Sequence, residues 1–247
     1  MRFGILKAAR ASQRGREELG DYDGMFKSLL AQPGDIWDVF EVKEGEFPEN
    51  LTPFDGMVIT GSPASAYDDE PWIHRLTDII REAYQKGIPL LGVCFGHQIV
   101  AQALGGEVTK NPGGWDLGLN SIELTQEGRQ LELLADAPDS IKVLEVHQDI
   151  VFKLPPGAVN LAQSPTTKSE MYHLGERVFC LQGHPEMDNE EVRQIITKRD
   201  WLPADRVARA LETLDELPNR AYFQKIMIQF LQNKGLETQP IPQVVSG

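Results

Sequence analysis

Two short segments of the 247-residue chain carry residue types suited to covalent catalysis. The first is Gly92-Val93-Cys94-Phe95-Gly96-His97-Gln98. An apolar run, Ile88-Pro89-Leu90-Leu91-Gly92-Val93, leads into it, and a helical pattern with Ile99, Val100, Ala103 and Leu104 leads out. That order puts a cysteine on a sharp strand-to-helix turn, with glycine two residues to either side. The spacing is that of a nucleophile elbow with sulfur in place of oxygen. The helix beyond points its N-terminus at the sulfur and favours the thiolate. Backbone N–H groups at such a turn can hold a developing oxyanion. A cysteine at a strand end also packs as a small apolar residue; the flanking glycines favour the nucleophile.

A thiol nucleophile needs a base. Of the five histidines, His184 stands in the second segment, Gly183-His184-Pro185-Glu186, directly after the apolar run 178–181. Gly183 and Pro185 fix a turn, and Glu186 can reach back to orient the imidazole. Parallel sheets bring strand ends together along one edge. Cys94, His184 and Glu186 are therefore expected to form a Cys–His–Glu triad. His147-Gln148-Asp149 follows another strand-like run, and a structural and a functional role are equally open there. The loop 111–118 is glycine-rich, as in a pocket lining or an ordinary surface turn. Cys180 reads as core. His74 and His173 have no partner pattern and read as structural or exposed. Asp68-Asp69-Glu70 reads as charge at a helix N-terminus rather than a metal site.

These segments need a scaffold. Runs 3–6, 36–42, 56–61 and 88–93 are strand-like. Residues 25–31 and 71–86 have helical periodicity, the latter with Pro71 in its first turn, Ile73, Leu76, Ile79, Ile80 and Ala83 on one face, and Gly87 as a stop. The alternation predicts an α/β fold: a doubly wound, mostly parallel sheet flanked by helices, three layers of flavodoxin-like type. Between 119 and 180 short β runs at 121–124, 141–146, 158–162, 170–174 and 177–181 predict added hairpins. Beyond 188 the pattern is helical. Val207, Leu211 and Leu214 share one face; Phe223, Ile226, Met227, Phe230 and Leu231 share another, with Asn219 as N-cap and Gly235 as stop. The expected organisation is a main domain over 1–195, a helical extension packed on it over 196–236, and a flexible tail over 237–247.

Composition excludes several roles. Lys and Arg number 24 against 37 Asp and Glu, for a net charge of −13. A nucleic-acid binder shows a basic face instead, and anionic lipid is an equally poor partner. No apolar run approaches a membrane span. Two cysteines do not make a secreted disulfide scaffold, and no signal core opens the chain. The cytoplasm is the expected compartment.

The segments 92–98 and 183–186 resemble the two signatures of the class I, triad-type glutamine amidotransferases. Thr60-Gly61-Ser62-Pro63, after a strand, is similar to that family's glycine-rich oxyanion loop. All three stand in the family's order, and the likeness covers about residues 3–190. It implies that Cys94 attacks a γ-carboxamide to give a γ-glutamyl thioester, that His184 moves the proton, and that Glu186 orients His184. It implies an oxyanion hole from the backbone N–H of Phe95 and of Gly61 or Ser62. It also implies substrate contact from Gln98, one helical turn beyond Cys94, and from His147, although Gln148 departs from the family's His-Gly-Asp. Neither a cofactor nor a metal is implied.

The resemblance leaves the leaving group open. One reading is a glutaminase that passes ammonia to a synthetase partner; neither a phosphate-binding P-loop nor a Ser-Gly-Gly loop for ATP occurs in the chain. The other is a free-standing γ-glutamyl peptidase. That subgroup is similar at Gly45-Glu46-Phe47-Pro48, Gly61-Ser62-Pro63, Asp69-Glu70-Pro71-Trp72-Ile73, Phe95-Gly96-His97-Gln98 and His147-Gln148-Asp149. The expectation is hydrolysis of γ-glutamyl amide bonds, with glutamine and γ-glutamyl peptides as candidate substrates. A non-catalytic binding protein on the same fold would have no reason to retain Cys94, His184 and Glu186 together. A hydratase or glyoxalase of the related one-cysteine fold places its acid before the cysteine and lacks Gly-His-Pro-Glu.

Overall fold

The computed structural model describes residues 1–232. The strands are β1 (Arg2–Lys7), β2 (Ile36–Glu41), β3 (Gly56–Ile59), β4 (Leu90–Val93), β5 (Glu107–Lys110), β6 (Asp116–Leu124), β7 (Ile141–His147), β8 (Asp149–Lys153), β9 (Ala158–Gln163), β10 (Met171–Leu174) and β11 (Val178–Leu181). The helices are α1 (Gln13–Glu18), α2 (Asp21–Leu30), α3 (Pro71–Gln85), α4 (Phe95–Ala103), α5 (Gln126–Gln130), α6 (Asn189–Thr197), α7 (Ala204–Thr213) and α8 (Arg220–Leu231).

Nine strands form one sheet in the order β2-β1-β3-β4-β11-β10-β9-β6-β7. The first five run parallel. From β11 onward every pairing is antiparallel, so the expected hairpins extend the sheet rather than lie beside it. Strands β3, β4 and β11 are buried along their whole length, as apolar runs in the middle of a doubly covered sheet must be. Alternation along each strand then divides the core. Phe3, Ile5, Leu91, Val93, Phe179 and Leu181 face a layer with Phe26, Leu29 and Leu30 of α2 and Phe223 and Phe230 of α8. Leu6, Leu90, Val178 and Cys180 face α3 and α4 through Ile73, Leu76, Ile80 and Ile99. The three-layer α/β reading holds.

Helix α3 follows its pattern: Pro71 is in the first turn, the five apolar residues are buried, and Gly87 turns the chain at φ +71°. Helix α8 buries Phe223, Ile226, Met227, Phe230 and Leu231, but Asn219 caps it by position only. The Asn219 carboxamide oxygen instead accepts from the Lys142 backbone N–H at 2.6 Å and ties the helix start to β7. In α7 the fully covered residue is Ala210, while Val207 and Leu211 are half-buried. Gly235 and the segment 237–247 lie outside the described residues. The antiparallel pair β5–β8 and the helix α1 are additional to the sequence reading; all are short and mixed in polarity, so no period marks them. Among the described residues, no helix is long and apolar enough to cross a membrane.

Lys7, at the end of β1, is only 5 % exposed. Its ammonium lies 2.6 Å from Glu41, 3.0 Å from Asp21 and 3.3 Å from Asp23. Burial opposes its charge, and these carboxylates more than restore it, so its pKa is raised. Asp21 holds a positive φ of +64° and accepts the Ala11 N–H at 2.6 Å. One cation thus fastens the loop after β1, the start of α2 and the end of β2. Replacing Lys7 with Met leaves three carboxylates facing one another, and about 2–3 kcal/mol of stability should be lost. Urea unfolding of the two proteins measures this; an unchanged midpoint would refute the assigned role.

Candidate active site

Strand register brings the three expected motifs to one edge. Gly92 of β4 stands beside Ile59 of β3 and Cys180 of β11, and Val93 stands beside Leu181. The residues that follow these strand ends are therefore neighbours: Thr60 and Gly61, Cys94, and Gln182 to His184. Brought together this way are Gly61, Cys94 and His184. An ideal Cβ on Gly61 would lie 2.9 Å from His184 Cε1 and 3.7 Å from Cys94 Cβ.

The elbow at Cys94 is as sharp as its sequence implies. Cys94 has φ +54° and ψ −107° and directly precedes the first residue of α4. Its N–H donates to the Leu181 carbonyl at 3.0 Å. A Cβ on Gly92 would meet the Gly96 carbonyl oxygen at 2.5 Å, and one on Gly96 would meet the Ile59 carbonyl oxygen at 2.2 Å. Backbone cannot move aside as a side chain can, so both positions require glycine. Phe95 starts α4, where a backbone N–H has no acceptor within the helix. Its ring is buried against Trp72, with centroids 5.6 Å apart. Thr60 accepts the Ala8 N–H at 3.0 Å and donates to the Gly61 carbonyl at 3.1 Å, which stiffens the neighbouring loop.

His184 is held from both sides. Its N–H donates to the Leu144 carbonyl at 2.7 Å, and its ring Nδ1 lies 2.7 Å from Glu186 Oε1. That leaves Nε2 as the free ring nitrogen, and Cys94 is among the groups that act on the ring. His184 and Glu186 are 3 % and 2 % exposed. Burial alone would push the imidazole pKa down; negative charge on Cys94 and on Glu186 outweighs it and holds the pKa well above the usual value. A Cβ at Gly183 would come within 2.5 Å of Val143 and 2.6 Å of Glu145 Oε1, side chains that would have to shift to admit it.

A cavity of about 240 Å³ opens over Cys94 and His184. Ser62, Gln98 and His147 also line it; Gly61, Phe95 and Glu186 do not. Gln98 spends both amide hydrogens inward, on the Asp149 carbonyl at 2.8 Å and on Gln182 Oε1 at 3.1 Å. Its carbonyl oxygen is what remains for a ligand. The ring nitrogens of His147 turn to the protein: Nδ1 lies 3.1 Å from the Asp149 carbonyl, and Nε2 lies 3.2 Å from Glu145 Oε2. His97 is buried and pushed down to about 3 by burial first and His147 second, so it is a neutral ring beside Tyr172 rather than a base. His74 is exposed on Asp69, and His173 is buried with Nδ1 3.0 Å from the Gly175 carbonyl.

The cavity wall holds residues that the sequence did not single out: Tyr22, Trp115, Trp201, Arg10, Lys110 and Arg199. Burial raises the Tyr22 pKa, and the nearby charges of Glu186 and Cys94 raise it further. Tyr22 stands in α2, ahead of the periodic stretch 25–31; Trp115 lies in the glycine-rich loop 111–118 offered as a pocket lining, and the others carry no periodic signal. Of the donor groups a metal would need, Glu145, His147 and Glu170 lie together. Burial, then Asp116 and Glu186, lifts Glu145 well above the carboxylate range against the pull of His184. Burial, then Glu145, lifts Glu170 to about 8.

A cysteine elbow at the end of β4, beside a histidine–carboxylate pair at the end of β11, defines the architecture of a cysteine-elbow α/β protein. The comparisons narrow it. The family model for glutamine amidotransferase class-I matches residues 36–202, and the chain belongs to that family. It is 33 % identical over 242 residues to γ-glutamyl peptidase 3 of Arabidopsis thaliana, covering 94 % of this chain and 96 % of that protein. It is 32 % identical over 168 residues to the glutamine-hydrolysing GMP synthase of Aeropyrum pernix, covering 64 % of this chain and 31 % of that one. The solved glutamine amidotransferase of Methylobacillus flagellatus superposes with a TM-score of 0.75 at 22 % identity, covering 98 % of this chain and 97 % of that chain.

Two outcomes follow. Replacing Gly96 with Ala presses a methyl group on a fixed carbonyl, and urea unfolding should show a loss of about 3 kcal/mol. The raised pKa of His184 sets a pH dependence: its contribution to stability is complete below its unfolded pKa of about 6.5 and drains as pH rises through the higher folded value. The stability gap between wild type and His184→Gln should therefore be larger at pH 6 than at pH 9. A gap that grows with pH would contradict this assignment.

Proposed function

We propose that this chain hydrolyses γ-glutamyl amide bonds through a thioester on Cys94. The His184 imidazole, paired with Glu186 at 2.7 Å and lining one cavity with Cys94, whose charge also acts on the ring, carries the reading. The Cys94 thiolate, its proton held on His184, attacks the γ-carbonyl carbon. The oxyanion that forms is held by the N–H of Phe95 and an N–H of Gly61 or Ser62. The C–N bond breaks, the leaving amine takes the proton from His184, and a γ-glutamyl thioester remains. Water, deprotonated by His184, then attacks the thioester carbonyl. The C–S bond breaks, the thiolate and the charged His184 ring are restored, and glutamate leaves. Glu186 holds the ring tautomer throughout. Gln98 positions the substrate through its carbonyl oxygen. His147 stands in the wall with its nitrogens turned inward, and its substrate contact is through the ring face.

The leaving group distinguishes a peptide from glutamine. Arg10, Lys110 and Arg199 stand around the cavity, and none of the three is in an ion pair among the described residues. On a chain of net charge −13, that local excess of positive charge favours a leaving amine that carries a carboxylate, as in a γ-glutamyl peptide. The near-full-length relative named as a peptidase is consistent with this choice. Ammonia delivery to a synthetase partner is the competing use of the same chemistry. The division at residue 195 belongs to the proposal in modified form, because Arg199 and Trp201 bring the helical extension to the cavity wall. Two free cysteines accord with the cytoplasm.

Purified protein should release an amino acid from a γ-glutamyl dipeptide faster than ammonia from glutamine. Cys94→Ala should abolish both, and Glu186→Gln should lower kcat by about 10²- to 10⁴-fold through loss of the correct tautomer. Arg199→Gln and Lys110→Gln should each raise KM for the dipeptide about threefold to fivefold, and leave KM unchanged for the dipeptide amide. Ammonia release from glutamine alone would turn the reading toward the synthetase-linked glutaminase. Full turnover by Cys94→Ala would end it.

A further inference from the structure

Behind the triad, three buried side chains converge without bonding to one another. Glu145 and His147 are two apart on β7, so they project from the same face. Glu170 stands immediately before β10. One ligand-type atom from each lies within 4.8 Å of the other two. The side chains of Glu145 and His147 are 1 % and 2 % exposed, and Glu170 is 3 % exposed. Both oxygens of Glu145, Oε2 of Glu170 and Nε2 of His147 have no hydrogen-bond partner. Buried polar atoms are paired almost without exception, so four such atoms in one place require an account.

The orientation of His147 supplies one. Its Nδ1 meets the Asp149 carbonyl at 3.1 Å, an acceptor, so the ring proton resides on Nδ1. Nε2 then presents a lone pair, 3.2 Å from Glu145 Oε2. A lone pair facing a carboxylate oxygen is repulsive unless a positive centre, a proton or a metal ion, lies between them. An imidazole whose second nitrogen donates to a backbone carbonyl is also how a metal-binding histidine is held. The Nε2–Oε2 spacing of 3.2 Å lies within the separations of about 3–4 Å that ligands keep around an ion 2.0–2.2 Å from each. Asp116 completes the surroundings: its Oδ2 is 3.9 Å from His147 Nε2 and is already occupied by Thr167 Oγ1 at 3.0 Å.

We propose that Glu145, His147 and Glu170 bind one divalent first-row cation of the Zn²⁺ or Mn²⁺ type. One imidazole nitrogen with two carboxylate oxygens suits these ions better than Ca²⁺, which takes six to eight oxygens. The site shares His147 with the cavity wall, but ion binding needs neither Cys94 nor turnover. Its location gives it a mechanical role. The segment from Gln182 to His184 runs between the two halves of the site: the Gln182 N–H donates to the Glu170 carbonyl at 2.8 Å, and the His184 N–H to the Leu144 carbonyl at 2.7 Å. An ion joining Glu170 to β7 clamps that segment from both flanks.

The test uses the full-length protein, stripped with chelator, then equilibrated with Zn²⁺ or Co²⁺ alone and freed of excess ion. Elemental analysis should find about one ion per chain, with Co²⁺ giving visible ligand-field absorption and Zn²⁺ raising the Tm. Glu170→Gln and Glu145→Gln, near-isosteric changes checked for folding by circular dichroism, should each weaken binding at least tenfold. Cys94→Ala, inactive if the hydrolytic reading is right, should bind as wild type does. A wild-type protein that retains no ion, or Gln variants that bind as well as it does, would overturn the site and leave a cluster that holds protons only. Loss of binding in Cys94→Ala would place the ion on the thiol and overturn it equally.

Discussion

The structure depends on one backbone approach. Helix α4 leaves β4 so closely that a Cβ on residue 96 would meet the carbonyl of Ile59, and one on residue 92 would meet the carbonyl of Gly96. Only that closeness forces Cys94 to φ +54°, a conformation that costs a non-glycine residue about 1–3 kcal/mol. The cost is offset by the strands around it. Neighbouring strands lie about 4.8 Å apart, and β3, β4 and β11 are fully buried in parallel register. The loops that leave them have nowhere to go but together. The strained cysteine, the loop at Gly61 and the turn at His184 are three consequences of one packing arrangement.

Charge follows from that geometry. His184 is buried, which by itself favours the neutral ring, yet negative charge on Cys94 and Glu186 wins. The comparison with His97 is instructive. It is equally buried but lacks such partners, and its pKa falls to about 3. Burial is common to the two rings; what separates them is the flanking charge. This is why Glu186, two residues from His184 and itself 2 % exposed, matters more than its position outside the cavity would indicate. Near-complete burial of the pair keeps water from screening the interaction.

Much of this was legible in sequence, for physical reasons. Glycine at 92 and 96 announces places where the backbone comes too close for a side chain, and each does so here. Strand β4 and helix α3 carry unbroken apolar patterns because each is buried on the expected face. Other features had no such signature. Lys7 looks like one of several basic residues near the N-terminus, and only the fold brings Asp21, Asp23 and Glu41 to it. Arg10, Lys110 and Arg199 come from three distant segments. Glu145 and Glu170 sit where strand alternation allows either a core or a solvent residue, and sequence spacing says nothing about two acids 25 positions apart. Asn219 marks the start of α8, but its side chain serves β7; a cap residue can be located by pattern while its partner is set by tertiary contact.

Whole-chain charge and local charge lead in different directions, and the distinction bears on function. The chain as a whole is acidic, yet Arg10, Lys110 and Arg199 outnumber Asp149 among the charged residues that line the cavity. Within about 8–10 Å, screening by salt is incomplete, so a small anionic group at the mouth responds to Arg10, Lys110 and Arg199 rather than to distant carboxylates. Deeper in, behind His184, lie Glu145, Glu170 and Asp116, all buried, and burial favours the neutral acid at Glu145 and Glu170. The segment 182–184 that carries the imidazole lies between the cavity wall and this buried acid cluster.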